Sequence, residues 1–410
     1  MPETPPPGAE PLDPVPAPRV LLAGGGTAGH VNPLLATAAA LRDPALGGRE
    51  ETGILVLGTA EGLEAGLVPE AGFDMAVVPR VPMPRRPTGD LFMLPRRLSR
   101  AVGAAGEAIE AVDAQVVVGF GGYVSTPAYL AARRAGVPVV IHEQNARPGL
   151  ANRLGASWAA AVALTFASTP LRSSKGRTEV TGLPLRPAIG ELVARLAEPD
   201  GAAAARSSGA AALGLDPRAP TVLITGGSLG AQRLNEVLAA ALPSLSPDLQ
   251  VLHLTGRDKD GPVRAAVEAA VAAGADPGLA ERYHVLDYLV AMEQAYACAD
   301  GVICRSGAGT VAELTALGLP ALYVPLPIGN GEQRLNAADV VAAGGGRLVA
   351  DARLTAADVV DFTALLTRPA ERGAMAAAAA STGVRDGARR LADLIRTVAR
   401  EGSPSPRRKA

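Results

Sequence analysis

Twice along this 410-residue chain a short β-branched strand breaks into a glycine turn and runs on into an alanine- and leucine-rich helical stretch. The first series opens with Val20–Leu21–Leu22–Ala23 and continues through Ile54–Leu57, Met75–Val78, Gln115–Val118, Val137–Ile141 and Ala161–Phe166. The second opens with Thr221–Val222–Leu223–Ile224 and continues through Val251–Leu254, Tyr283–Val285, Gly301–Cys304 and Ala321–Val324. Strands of this length bounded by Gly, Pro or polar residues, with helical stretches between them, predict parallel sheets with crossover helices. The expected fold is α/β and doubly wound, built twice, with a ligand cleft between the strand ends of the two units.

The proline-bracketed Leu183–Pro184–Leu185–Arg186–Pro187 reads as the connection between them. That divides the chain into units over residues 19–186 and 187–383. The proline-rich start, 1–18, and the basic end, 401–410, read as disordered tails, and the Ala/Ser/Gly-rich Gly201–Ala212 as a loose surface loop. A formal charge of −1 and 3% aromatic residues give no electrostatic or stacking platform for nucleic acid. Two cysteines, Cys298 and Cys304, suit a reducing compartment and are too sparse for a zinc site. The N-terminus has neither the basic start nor the apolar core of a signal peptide, and no run approaches the ~18 apolar residues of a membrane span.

Four stretches carry candidate chemistry. Gly24, Gly26 and Gly29 satisfy G-x-G-x-x-G between a strand and a helix, the setting in which backbone amides meet a phosphate, with His30 at the lip. A dinucleotide site would need an acidic residue at the end of the second strand; Gly58–Thr59 stands there instead, and Asp43 and Glu50 come too early. A tight turn made for helix packing is the alternative. A second turn, Gly119–Phe120–Gly121–Gly122–Tyr123, belongs to the same sheet edge, and two such loops side by side suit a diphosphate. His142–Glu143–Gln144–Asn145 follows an apolar strand, where open α/β sheets bind ligands, or merely caps it.

The fourth stretch is Cys304–Arg305–Ser306–Gly307–Ala308–Gly309–Thr310–Val311–Ala312–Glu313. It leaves free amides at a helix start, with Glu313 either a capping carboxylate or an acceptor for ribose hydroxyls. Gly331–Glu332–Gln333–Arg334–Leu335–Asn336 offers groups suited to sugar hydroxyls, or is an ordinary solvated helix start.

In register, G-G-G-T-A-G-H-V-N-P, G-F-G-G-Y-V-S-T-P, H-E-Q-N, G-L-P-L-R, G-G-S-L-G-A-Q-R-L-N, C-R-S-G-A-G-T-V-A-E and E-Q-R-L-N-A resemble the MurG family of peptidoglycan N-acetylglucosaminyltransferases. The resemblance covers nearly all of residues 20–400. It implies a GT-B fold, two Rossmann-like units around a deep cleft, with a C-terminal helix, here 384–398, crossing back to the first. It implies UDP-N-acetylglucosamine (UDP-GlcNAc) as donor, held mainly by the second unit. Ser228 would face the diphosphate, Ala308, Gly309 and Thr310 the phosphates and nucleoside, Glu313 the ribose, Gln333 the sugar and Leu289 the uracil. Thr27, Ala28, Gly29, Asn145 and Arg186 match further donor positions. Glu332 and Gly309 depart from relatives that carry glutamine and leucine there. Gly25, Gly26, Gly121, Gly122 and Tyr123 would hold the acceptor diphosphate.

The activity so implied moves N-acetylglucosamine, with inversion, onto the C4 hydroxyl of the N-acetylmuramoyl unit of lipid I, without metal or cofactor. His30 is the expected base, since an imidazole titrates near working pH; the alternative is that it orients the loop. The acceptor's lipid places the protein peripherally on the cytoplasmic side of the cell membrane, where cell-wall synthesis and division proteins are expected partners. Arg80–Leu98, with Leu91–Leu94 among Arg85, Arg86, Arg96 and Arg97, is the expected anionic-membrane surface, or else a buried helix with a charged rim. A GT-B transferase with another acceptor and a non-catalytic scaffold are the competing readings.

Overall fold

The structure is a computed structural model and describes residues 17–81, 93–227, 231–328 and 330–402. The expected tails over 1–16 and 403–410, Ser228, and Arg85, Arg86, Leu91 and Phe92 lie outside the described residues.

Among the described residues, thirteen strands form two all-parallel sheets. The first contains β1 (Arg19–Ala23), β2 (Gly53–Gly58), β3 (Asp74–Val77), β4 (Val116–Gly119), β5 (Val139–Glu143), β6 (Ala161–Leu164) and β7 (Arg177–Val180), in the order β3-β2-β1-β4-β5-β6-β7. The second contains β8 (Thr221–Thr225), β9 (Gln250–Leu254), β10 (Tyr283–Leu286), β11 (Gly301–Cys304), β12 (Ala321–Tyr323) and β13 (Gly346–Leu348), in the order β10-β9-β8-β11-β12-β13. Strand order reverses between β1 and β4, and again between β8 and β11. Turns leaving those strands therefore open crevices at the carboxyl edge of each sheet. Central strands are buried on both faces: every residue of β4, β5, β6, β8 and β9 is buried, which is why they read as largely apolar runs.

Three expectations change. Gly201–Leu213 is a helix, not a loop. Its alanines favour helix, and Ala205, Gly209 and Ala210 are buried. Gly209 lies so close to the helix Met292–Cys298 that a Cβ there would stand 2.6 Å from the Gln294 carbonyl and 2.9 Å from Cys298 Sγ. Arg206 fastens the helix to the Asp300 carboxylate at 2.8 Å. β7 and β13 have no counterpart among the expected strands; both are sheet edges of only three or four residues with partly exposed, polar-containing patterns. β5 begins two residues later than expected and runs through His142 and Glu143, so half of H-E-Q-N lies within the sheet.

The closing helix, Gly387–Gly402, starts three residues beyond the expected boundary and packs on the first sheet's helix Ala28–Arg42. Leu391, Leu394, Ile395 and Val398 recur at helical spacing and are at most 4% exposed, within the core made by Val20, Leu22, Leu34 and Val118. Burying each is worth about 1.5–3 kcal/mol. Arg389 and Arg390 face outward and pair with Asp386 at 2.9 and 2.6 Å.

Candidate active site

At the carboxyl end of β1 the chain turns at Gly26, whose φ of +85° favours glycine, and enters the helix Ala28–Arg42 behind an N-cap, Thr27, that makes no side-chain cap. The Gly26 amide does not point to solvent: it donates to Glu64 Oε2 at 2.9 Å. The other oxygen, Oε1, accepts from the Thr59 amide at 3.0 Å and the Thr59 hydroxyl at 2.8 Å. Burial pushes the Glu64 carboxyl up, but these donors outweigh it and hold the group below the usual carboxylate range. The Gly26 amide is thus engaged within the protein, while Gly26, Thr27, Ala28 and Gly29 form the exposed part of the turn.

His30 lies half-buried with Nδ1 3.1 Å from the Gly25 carbonyl and 3.1 Å from Thr27 Oγ1. A carbonyl oxygen only accepts, so Nδ1 carries the proton and Nε2 keeps its lone pair. Burial lowers the imidazole pKa below its ordinary value; the Gly25 carbonyl and the Glu64 charge oppose that shift. The second glycine turn faces the ring. A Cβ on Gly121 would stand 3.2 Å from His30 Nε2, and one on Gly122 would stand 2.6 Å from the Gly25 carbonyl. Their φ angles of +91° and +81° also favour glycine. The two turns expected to be neighbours are therefore in contact. Ser125 ties the second to the first, its hydroxyl lying 2.9 Å from the Gly121 amide and 3.1 Å from the Ala23 carbonyl. Tyr123, 39% exposed, stacks under Arg80 at 5.3 Å.

His142 and Glu143 are interior organisers. His142 Nε2 bonds the Gly182 carbonyl at 3.0 Å, and burial lowers its pKa to about 4. Glu143 accepts from the amides of Asn145 and Gly149, both at 3.0 Å, and from Asn152 Nδ2 at 2.9 Å, so it shapes the loop that follows. Burial raises its carboxyl against those bonds.

That loop meets the second unit. Asn336 Oδ1 accepts from the Ala146 amide at 2.8 Å, while its Nδ2 donates to Asn145 Oδ1 at 3.3 Å and to the Ser306 carbonyl at 3.2 Å. Asn336 is buried, so of the expected sugar-facing stretch it holds the two units together instead. Gln333 Oε1 accepts from the Leu326 amide at 2.9 Å, and Glu332 from the Asn330 amide at 3.2 Å.

On the second sheet, the helix Ala308–Leu317 starts behind Gly307 with no side-chain cap, so the half-buried Ala308, Gly309 and Thr310 present unpaired helix-start amides. Ser306 Oγ is buried without a hydrogen bond. Nothing lies within 4 Å of a Cβ on Gly309, so the position opens on free space. Glu313 sits well past the helix start and is not a cap. Its oxygens accept from Arg186 Nε at 2.8 Å, Arg186 Nη2 at 3.1 Å and the Tyr296 hydroxyl at 3.1 Å. Arg186 and Glu313, both expected donor contacts, are thus joined to each other. Leu289 is partly buried against the same core, beside an 80% exposed Val290.

Glu64, Thr59, Ser125, Asn152 and Tyr296 were not among the expected site residues. G-T-x-x-x-x-E holds no periodic or motif signal by itself; only the fold brings Glu64 beneath a turn 38 residues away.

Two parallel α/β units, each with its turns at the carboxyl edge where strand order reverses, form the architecture of the GT-B class of glycosyltransferases. The sequence matches "Glycosyltransferase family 28 N-terminal domain" over residues 20–164 and "Glycosyltransferase family 28 C-terminal domain" over 221–391. It is 51% identical over 346 residues, 82% of this chain and 86% of the relative, to the UDP-N-acetylglucosamine–N-acetylmuramyl-(pentapeptide) pyrophosphoryl-undecaprenol N-acetylglucosamine transferase of Bifidobacterium longum. The protein of the same name from Clavibacter michiganensis is 50% identical over 392 residues, 95% of this chain and 99% of its own. The crystal structure of Acinetobacter baumannii MurG superposes with a TM-score of 0.71 at 28% identity, covering 93% of this chain and 99% of that one. The chain belongs to glycosyltransferase family 28, within its MurG family.

Proposed function

We propose that this glycosyltransferase moves N-acetylglucosamine from UDP-GlcNAc to the C4 hydroxyl of the N-acetylmuramoyl unit of undecaprenyl-diphospho-N-acetylmuramoyl-pentapeptide, with inversion, releasing UDP. The observation that carries the reading is the His30 lone pair on Nε2, turned toward the Gly121–Gly122 turn, in a chain half identical to transferases bearing that name. A sugar hydroxyl is a weak nucleophile, and Nε2 takes its proton as the new bond forms. The departing diphosphate gains charge, which the helix-start amides of Ala308, Gly309 and Thr310 and the Ser306 hydroxyl offset. In this reading residues 19–186 with the closing helix form the acceptor unit and residues 187–383 the donor unit. Thr27, Ala28, Gly29 and Asn145 contribute to the donor site from the first unit, Leu289 and Gln333 from the second, and the joined Arg186 and Glu313 from the connection and the helix Ala308–Leu317; Ser228 is the further donor residue expected from the sequence. Gly25, Gly26, Gly121, Gly122 and Tyr123 surround the acceptor diphosphate, Gly26 through its Cα rather than its amide.

The test is turnover of UDP-GlcNAc with a soluble lipid I analogue. His30→Ala is expected to lower kcat about 10²–10⁴-fold with UDP-GlcNAc affinity retained. Turnover near that of the unaltered protein would remove His30 as base, and no turnover by the unaltered protein would remove the reaction.

The same reading makes the protein peripheral to the cytoplasmic side of the cell membrane, among cell-wall synthesis and division proteins. Its support is Met93, 46% exposed beside an exposed Arg96 and a half-buried Arg97 on an amphipathic helix, Leu94–Ala111; no described helix is long and apolar enough to cross a membrane. Replacing Arg96 and Arg100 by glutamate is expected to weaken binding to anionic vesicles, and unchanged binding would retire this surface.

A further inference from the structure

The peptide group joining Gly25 to Gly26 is engaged at both ends. Its N–H donates to the buried Glu64 carboxylate at 2.9 Å, and its C=O lies 3.1 Å from His30 Nδ1. A carboxylate drawing on the N–H of an amide shifts electron density toward the carbonyl oxygen, which then accepts more strongly. The geometry points to Glu64 as a positioning residue for His30, acting through this one peptide group as a carboxylate–peptide–imidazole relay that fixes the Nδ1–H tautomer and strengthens Nε2 as a base. The carboxylate thereby performs the task of the acid in a Ser-His-Asp triad, orienting the imidazole and stabilising its cation, with a peptide inserted between the two.

The surroundings are built for this. Glu64 Oε1 is held by the Thr59 amide and hydroxyl, leaving Oε2 aimed at the turn. Three glycines make room for the acid. A Cβ on Gly25 would stand 2.3 Å from Oε1, one on Gly62 2.1 Å from Oε2, and one on Gly58 2.6 Å from Cγ. Gly25 therefore has to be glycine to clear the Glu64 carboxylate. Among the described residues, the groups that face the His30 proton are the Gly25 carbonyl, the Thr27 hydroxyl at 3.1 Å and the Glu64 charge, of which the carbonyl and the charge raise its basicity against burial. From the other packed elements, the Gly121–Gly122 turn offers no titratable group, and the Asn152 amide behind it is neutral.

The inference rests on the proposed role of His30 only for its catalytic meaning, and its test reads the imidazole directly. The chain has four histidines, so their ring nitrogens can be resolved by 15N NMR in the full-length protein. In the unaltered protein His30 is expected to show a protonated Nδ1 and a bare Nε2 near neutral pH. In Glu64→Gln its pKa is expected to fall by about one unit, and the tautomer preference to weaken. The acid limb of kcat/KM should move down with it, and kcat drop roughly tenfold, with UDP-GlcNAc affinity unchanged. Glu64→Asp, which keeps the charge, is expected to restore part of the pKa. A His30 with Nε2 protonated in the unaltered protein overturns the relay without any variant. So does a His30 that titrates unchanged in Glu64→Gln. If the shift appears but no N-acetylglucosamine is transferred, the relay stands and the assigned reaction falls.

Discussion

Arg186 and Glu313 form a two-pronged ion pair, Nε to Oε1 at 2.8 Å and Nη2 to Oε2 at 3.1 Å, that fastens the connection between the two sheets to the helix Ala308–Leu317. Glu313 is only 9% exposed at its side chain while Arg186 is a third exposed. Removing the arginine strands a buried carboxylate with a single tyrosine hydroxyl for company. Losing one partner is costlier than losing both.

Arg186→Ala is therefore expected to destabilise the protein by about 2 kcal/mol, more than Arg186→Ala combined with Glu313→Leu. The same single change should raise the KM for UDP-GlcNAc. Urea unfolding of both variants decides it: equal losses would show that the pair contributes little beyond packing.

The activity profile follows from the direction of the His30 shift. Burial holds the imidazole below the ~6.5 of a free side chain, so the ring stays neutral and able to accept a proton at pH 6.5. The acid limb of kcat/KM is expected to fall below that value. A limb centred above pH 7 would contradict the burial seen here.

Stability has its own pH dependence, to which His142 contributes, as does the buried His253, whose pKa burial lowers to about 3. The His142 folded pKa of about 4 lies below its unfolded value near 6.5, so the unfolded chain binds the extra proton. The stability its neutral form contributes is complete above pH ~6.5 and is lost as pH falls toward 4, amounting to about 3 kcal/mol. In His142→Gln the pH slope of unfolding free energy between 6 and 4 is expected to be shallower by about 1.4 kcal/mol per unit. An identical slope would mean that His142 is protonated in the fold.

Asn336 is a buried fastening between the units. Asn336→Leu keeps the volume and removes the bonds to Ala146, Asn145 and Ser306. Each is worth about 1 kcal/mol. Hydrogen exchange at the Ala146 amide is expected to quicken roughly fivefold or more. Protection equal to that of the unaltered protein would show that the loop is held without Asn336.

Much of this was legible in the residues. Parallel strands leave apolar runs and glycine turns at their ends, and Gly24–Gly29, Gly119–Gly122 and Ser306–Thr310 all fall where strand order places a crevice. What sequence could not supply was pairing. Arg186 and Glu313 each look like a ligand contact until the fold sets one against the other, 127 residues apart. Glu64 belongs to no pattern, because a buried carboxylate is specified by the donors around it rather than by its neighbours in sequence. Gly201–Leu213 misled for a different reason: serine and glycine in the stretch suggest a loop, whereas its alanines and a tertiary contact through Gly209 settle on helix.

The helix Gly387–Gly402 sets an order of events during biosynthesis. The face formed by Val20, Leu22, Leu34 and Val118 is complete only when Leu391, Ile395 and Val398 arrive. More than two hundred residues separate that helix from the last paired residue of β7, so on the ribosome the first unit waits on the order of ten to forty seconds with an apolar flank uncovered. A nascent chain stalled before residue 391 is thus a target for chaperones and proteases, and the two units are not separable products. The helix that carries His30 thus gains its final support from a helix synthesised long after it.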